Sequence, residues 1–371
     1  MKFSFSSEQE EFRSNLRRLL ADRSPTKEVR RLMETDRGYE REGWHAINTA
    51  LGLTAIRIPE AYGGYGLSFG DQCIVLEEMG RALLCAPYFA TAVLAAGAIM
   101  NAGTEAEKRA LLPGIAAGET TATLAWVEDN ERWDAEGTAL TATTESGEIV
   151  LNGHKSYVVD GHTADVIVVL GRAPQGLSLF TVDGNAPGLT RRALKSMDPT
   201  RKLAHLEFNR VAARPLGTVG GAAAPFARTM VEAAVCLANE MVGGADRLRE
   251  DALAYAMMRM QFGKPIASFQ SMKHKQADML LEVELAKSAA YYAAQAAEVN
   301  DPEWPALASL AKAAASETYL HTAAECIQIH GGIGFTWDND THLWFKRAKS
   351  SEVFLGQPSY HREVLMQRWG V

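Results

Sequence analysis

The chain changes its hydrophobic period twice. Up to about Gly118 apolar residues recur at helical spacing, as in Phe12, Leu16, Leu19, Leu20 and again in Ile74, Val75, Met79. From Thr120 to about Gly221 the runs shorten and become alternating or β-branched, as in GEIVLNGHKSYVV, ADVIVVL and GLSLFTVDG, broken by Gly, Pro, Asn and Asp. After Ala222 the chain is rich in Ala, Leu, Met and Glu, with helical patterns over 225–259, 268–300 and 305–330. A period of two and a period of 3.6 cannot share one element. The expected fold is therefore multi-domain α and β: an N-terminal helical domain over 1–118, a middle β domain over 119–222, and a C-terminal helical bundle over 223–371. Within the β part, Asn152-Gly153 predicts a hairpin between 148–151 and 154–159.

Charge narrows the partners. With 38 Lys and Arg against 45 Asp and Glu, the formal charge is -7, so no basic excess exists to neutralise phosphates, and neither nucleic acid nor an anionic membrane is expected as a partner. Arg13, Arg17, Arg18 and Arg23 interleave with Glu8, Glu10, Glu11 and Asp22 and read as a solvated helix face. Residues 82–104 are uncharged but alanine-rich and contain Pro87, which predicts a buried helix rather than a membrane span. Charges near the N-terminus argue against a secretory signal. Cys73, Cys85, Cys236 and Cys326 have no metal or redox spacing, and a reducing, cytoplasmic setting is expected.

Two glycine clusters need weighing, PEAYGGYGLS at 59–68 and QIHGGIGFT at 328–336. Neither spells the dinucleotide fingerprint or follows a β-rich run. The first reads as turns with positive φ. The second follows a helix carrying Gln328 and His330, and its glycines are either turn residues or a place where backbone N–H groups approach a pyrophosphate.

Three segments in order resemble the acyl-CoA dehydrogenase family of flavoenzymes: IPEAYGGYGLSFGDQCIVLEEMGR (58–81), RMQFGKPIASFQ (259–270) and QIHGGIGFT (328–336). The resemblance covers essentially the whole chain and implies an N-terminal helical domain, a middle β-barrel-like domain and a C-terminal four-helix bundle, in a tetramer with FAD as cofactor. By that resemblance Arg259, Phe262 and Gln270 contact the FAD of a neighbouring subunit, and Gln328 and Gly332 lie near its adenosine and pyrophosphate. The alternatives are a surface ion pair of Arg259 with Glu250 or Asp251, and a core position for Phe262. On the β domain, 155–161 resembles the segment beside the isoalloxazine. Tyr157 there is either a stacking residue or a buried strand aromatic. The flavin-side loop departs from the family pattern, reading Trp126-Val127-Glu128-Asp129-Asn130-Glu131-Arg132-Trp133-Asp134. Val127 and Val159 stand where a hydroxyl is usual, so hydrogen bonds to the ring would come from backbone groups.

The implied reaction is α,β-dehydrogenation of an acyl-CoA thioester, with α-proton abstraction by a Glu and hydride transfer to flavin N5. Most of the family carries that Glu in a Tyr-Glu-Gly-Thr segment, and this chain has Phe354-Leu355-Gly356-Gln357. Some relatives use a Glu on the first bundle helix, where Ala233 stands here. Glu240 is the only charged residue in AAVCLANEMVGGA, and an isolated acid on an apolar helix is either a base or a buried partner. Three readings stay open: Glu240 as base, no base in this subunit, or Glu352 or Glu232 in that role. For Glu352 an ion pair with Lys349 is the alternative.

The texture around Val242-Gly243-Gly244 and THLWFKRAK (341–349) is similar to a branch acting on bulky, steroid-derived, aromatic or dicarboxylic CoA thioesters, in lipid or steroid side-chain degradation. That branch often pairs unlike subunits. The resemblance thus implies an acyl-CoA substrate, an electron-transfer flavoprotein as acceptor, and a homotetramer or a heterotetramer with a related subunit. A non-catalytic subunit is the first alternative function and an oxygen-using oxidase the second. His154, His162 and His205 fall in separate strand-like contexts without a nucleophile elbow, and His321 and His330 lack a third ligand. Neither a hydrolase nor a metal site is expected.

Overall fold

A computed structural model describes residues 5–130 and 132–370. Met1 to Ser4 of the N-terminal segment and Glu131 of the 126–134 loop lie outside the described residues. The first third holds α1 (Ser7–Arg23), α2 (Thr26–Met33), α3 (Arg41–Leu51), α4 (Phe69–Ala82), a π-helical stretch (Phe89–Ala95) running into α5 (Ala96–Ala102), and α6 (Glu105–Ala116). The strands are β1 (Ala122–Ala125), β2 (Thr141–Glu145), β3 (Glu148–Val159), β4 (Val166–Ala173), β5 (Gly176–Asp183), β6 (Leu189–Leu194) and β7 (Leu203–Leu216). There follow α7 (Ala223–Met258), a small hairpin of β8 (Met260–Gln261) and β9 (Lys264–Pro265), α8 (Gln270–Glu298), α9 (Trp304–His330), α10 (Thr341–Val353) and α11 (Pro358–Arg368). The helix, β, helix order matches the reading from sequence.

The chain divides into two compact units, one of Arg30–Ser68 with Cys85–Ala233, the other of Met1–Val29, Phe69–Leu84 and Ala234–Val371. In the first, β2, β3, β7, β5 and β4 pair in a closed ring, with β1 parallel to β4 and β6 on β7. Alternate residues Ile167 and Val169, Phe180 and Val182, and Ala204, Leu206 and Phe208 fill its interior, as a strand period of two requires. The hairpin falls at Ser146 (φ 52°) and Gly147 (φ 88°), joining β2 to β3, and not at Asn152-Gly153. There β3 continues through a bulge against β7, and the Asn152 side chain accepts from the Arg210 N–H at 2.9 Å. Pairing on both sides of the bulge outweighs the local turn preference. Residues 85–102 are almost wholly buried in this unit, and among the described residues no helix is long and apolar enough to cross a membrane.

In the second unit α4 and α7 cross at backbone contact. A Cβ on Gly80 would lie 1.9 Å from the Glu240 carbonyl oxygen, and one on Gly243 would lie 2.0 Å from that of Glu77. Of the α1 charges read as a solvated face, Glu8, Glu10, Glu11, Arg17, Arg18, Asp22 and Arg23 are exposed, and Arg13 is the exception. Arg13 is buried against Glu77, and Arg17 forks onto buried Glu78 at 2.7 and 2.8 Å. The acidic pair on α4 needs those cations once it is removed from water.

Candidate active site

Each carboxylate nominated from sequence is held by a cation. Glu240, 4% exposed, accepts from Arg347 Nη1 at 3.0 Å, and Arg347 is equally buried. Glu232 is gripped by Arg57 through two hydrogen bonds of 2.7 and 3.0 Å, by Arg228 at 3.1 Å and by Asn101 at 3.1 Å. Burial pushes its pKa up, but Arg57, Asn101 and Arg228 outweigh this and hold it below the ordinary carboxylate value. Glu352 pairs with Lys349 at 2.5 Å. Leu355 and Ala233 are buried apolar residues. A general base needs a carboxylate free to take a proton, and each of these three carboxylates is engaged by a cation.

The helical unit presents an exposed edge. Arg259 ends α7, and the β8–β9 hairpin turns through Phe262 (φ 54°) and Gly263 (φ 75°). Phe262 is 92% exposed and lies edge-on to Phe269, at 6.1 Å between centroids, so it is no core aromatic. Glu250 is bound by Arg81 and Asp251 by Arg247, which removes the ion-pair alternative for Arg259. Gln270 opens α8 exposed, with its amide 3.0 Å from His274. At the end of α9, Tyr255 stacks on His330 at 4.2 Å, which brings the ends of α7 and α9 together. Gln328 and Gly332 are exposed there, and a Cβ on Gly331, Gly332 or Gly263 would meet nothing within 4 Å. Open backbone at three glycines is room for another molecule to approach.

The β unit supplies a second set. Trp126, Val127 and Val159 are buried, while Tyr157 stands in a left-handed conformation (φ 57°) and is 42% exposed. The Ser156 N–H donates to the Val127 carbonyl at 2.8 Å, so the end of β1 lies beside β3. Sequence reasoning did not find what fastens it. Buried Lys155 donates to the Trp126 carbonyl at 3.0 Å and to Glu128 at 2.7 Å, and Glu128 also accepts from the Ala139 and Leu140 amides. Burial pushes the Glu128 carboxyl up, but Lys155 and these amides hold it below its usual value. Burial brings the Lys155 ammonium down to about 8.

The structure also gathers histidines that looked separate. His154 and His205 stack across β3 and β7 at 5.4 Å, and Ser156 Oγ sits 2.8 Å from His205 Nδ1. Ser156 donates its hydroxyl hydrogen to Asp129, so His205 is the donor to Oγ and cannot activate it as a nucleophile. Among the described residues no cluster of ligands fits a metal ion.

The family profiles for the acyl-CoA dehydrogenase N-terminal, middle and C-terminal domains match residues 6–119, 123–211 and 224–370. The chain belongs to the acyl-CoA dehydrogenase family. These are oxidoreductases acting on acyl-CoA and dependent on FAD. The chain is 34% identical to the acyl-CoA dehydrogenase IpdE2 of Mycobacterium tuberculosis, over 96% of this chain and 95% of that protein. Among solved structures it resembles a variant of the Tcur3481-Tcur3483 steroid ACAD, with 30% identity, a TM-score of 0.88 and 97% of each chain covered. It also resembles butyryl-CoA dehydrogenase from Megasphaera elsdenii, with 26% identity, a TM-score of 0.91 and each chain fully covered. The exposed Arg259, with no acid from Glu250 or Asp251, and the open glycine backbone fit an anionic cofactor such as FAD.

Proposed function

We propose that this chain is one subunit of an FAD-dependent acyl-CoA dehydrogenase that introduces an α,β double bond into a bulky, steroid-type CoA thioester. In this reading the α-proton acceptor is carried by a related partner subunit, and electrons pass to an electron-transfer flavoprotein. The observation that carries it is the state of the carboxylates: Glu240, Glu232 and Glu352 are all ion-paired, and the two usual positions hold Ala233 and Leu355. The steroid ACAD to which the chain is similar is named for two components, which supports a heteromeric assembly.

When bound, FAD supplies the acceptor for the hydride that leaves the β carbon. The chain's own residues hold and orient. Arg259 offers a fork of N–H donors to a pyrophosphate, Phe262 an exposed apolar face to a neighbour's cofactor, and Gln270 and Gln328 amide groups to its polar edges. Trp126, Val127, Tyr157 and Val159 form the apolar wall for the ring. The Lys155–Glu128 pair keeps the first two of these beside β3.

The test is expression with and without a Glu-bearing relative, followed by visible absorption and acyl-CoA addition. Flavin bands that bleach only in the mixed assembly support the proposal. Bleaching by this chain alone would overturn it and return Glu240 to the role of base, which Glu240→Gln with FAD still bound then tests directly.

A further inference from the structure

Between α10 and α11 the chain turns through Leu355 at φ 63° and Gly356 at φ 106°. A leucine in the left-handed region is uncommon and costs free energy, so it persists where its surroundings over-determine it. The surroundings here are two buried basic side chains. Lys312 of α9, 0% exposed, donates to the Gly356 carbonyl at 3.0 Å, to the Glu352 carbonyl at 3.2 Å and to Ser316 Oγ at 3.0 Å. Ser316 Oγ in turn donates to the Lys312 carbonyl at 2.7 Å, so its lone pairs face the amine. His361 of α11 lies with Nε2 3.0 Å from the Leu355 carbonyl. That oxygen only accepts, so Nε2 carries the hydrogen.

The arrangement is costly for packing alone. None of the three acceptors of Lys312 is a carboxylate, and burial pushes its ammonium down to about 7. His361 leaves Nδ1 buried without a partner among the described residues. A methionine and a leucine would fill the same space without desolvating polar groups. What the two side chains add is donors, aimed at consecutive carbonyls of one strained turn.

We propose that Lys312 and His361 are positioning residues: together they clamp the 354–357 turn and fix the direction of residue 355 toward the acyl group. The inference rests on the acyl-CoA dehydrogenase reading, and adds the two buried donors that hold the turn carrying residue 355.

The experiment uses the full-length protein. Hydrogen exchange is followed at the amides of 354–357 in the wild type, Lys312→Met and His361→Leu. Two variants are used so that a folding failure in one leaves the other to decide. Exchange at the turn is expected to speed up at least about tenfold in either variant, with the α9 and barrel amides unchanged. Unchanged exchange at the turn would overturn the clamp. Leu355→Glu then places a carboxylate on it. In FAD-loaded protein without a partner, butyryl-CoA or a steroid-derived acyl-CoA is expected to bleach the flavin, and adding Lys312→Met should slow this at least about tenfold with FAD retained. Equal rates would overturn the positioning role. A clamp seen in exchange but no bleaching with Leu355→Glu would overturn the assignment of the turn to the acyl site, leaving the partner-supplied base of the proposed function to its own test.

Discussion

Arg347 Nη1 stands 3.0 Å from Glu240 Oε1, with both side chains about 5% exposed. The pair sits where α4 and α7 cross, since Gly80 is packed against the Glu240 carbonyl and also accepts at its own carbonyl from Trp344 Nε1 of α10 at 3.3 Å. An isolated acid on an apolar helix therefore has a local explanation: it compensates a buried guanidinium brought in by α10. Removing one member leaves the other charge without that compensation.

Glu240→Leu and Arg347→Met are each expected to lower stability by about 3–5 kcal/mol, whereas the double variant should recover much of that loss. Denaturant unfolding of the four proteins checks this. Additive losses would show that the two side chains do not depend on each other.

Gly80→Ala and Gly243→Ala should each cost at least about 1–3 kcal/mol, because the added methyl meets a backbone carbonyl at 1.9 or 2.0 Å and no side chain can yield. Gly147→Ala, at an open hairpin tip with positive φ, should cost less. Thermal unfolding ranks the three.

Arg259→Ala should lower FAD retention by roughly 10- to 100-fold, the worth of a charge-assisted hydrogen bond. The melting temperature of the apoprotein should hold within about 1 °C, because the side chain is exposed and Glu250 and Asp251 are paired elsewhere. Cofactor titration and melting of the apoprotein separate the two effects.

Stability should rise between pH 7 and 9. Lys312 has a folded pKa of about 7 against 10.5 for an exposed lysine, so the folded state sheds its proton first. The associated stability is present above the unfolded pKa and is lost as pH falls through the folded one. Lys155, at about 8, acts in the same direction. Buried Cys326, raised to about 12, opposes them above pH 9. Melting temperature against pH should slope upward in this window for the wild type and less so for Lys312→Met.

The periodicity of the sequence determined the helix, β, helix order and the bounds of α7, α8 and α9 to within about two residues, because side-chain period follows directly from local backbone geometry, and the uncharged, alanine-rich composition of 82–104 pointed to the burial of most of that stretch. The motifs around Arg259 and Gln328 marked the family, since glycines and a forked cation at fixed spacing are visible without coordinates. The partners of charges were not legible. That Arg13 is buried on Glu77, that Asn152-Gly153 is a bulge, that Lys155 ties Glu128 across 27 residues, and that Glu240 meets Arg347 across 107 were decided only by tertiary packing. A carboxylate on an apolar helix reads the same whether it waits for a substrate proton or for a guanidinium. Its partner comes from a distant segment, and only the fold brings the two within hydrogen-bonding distance.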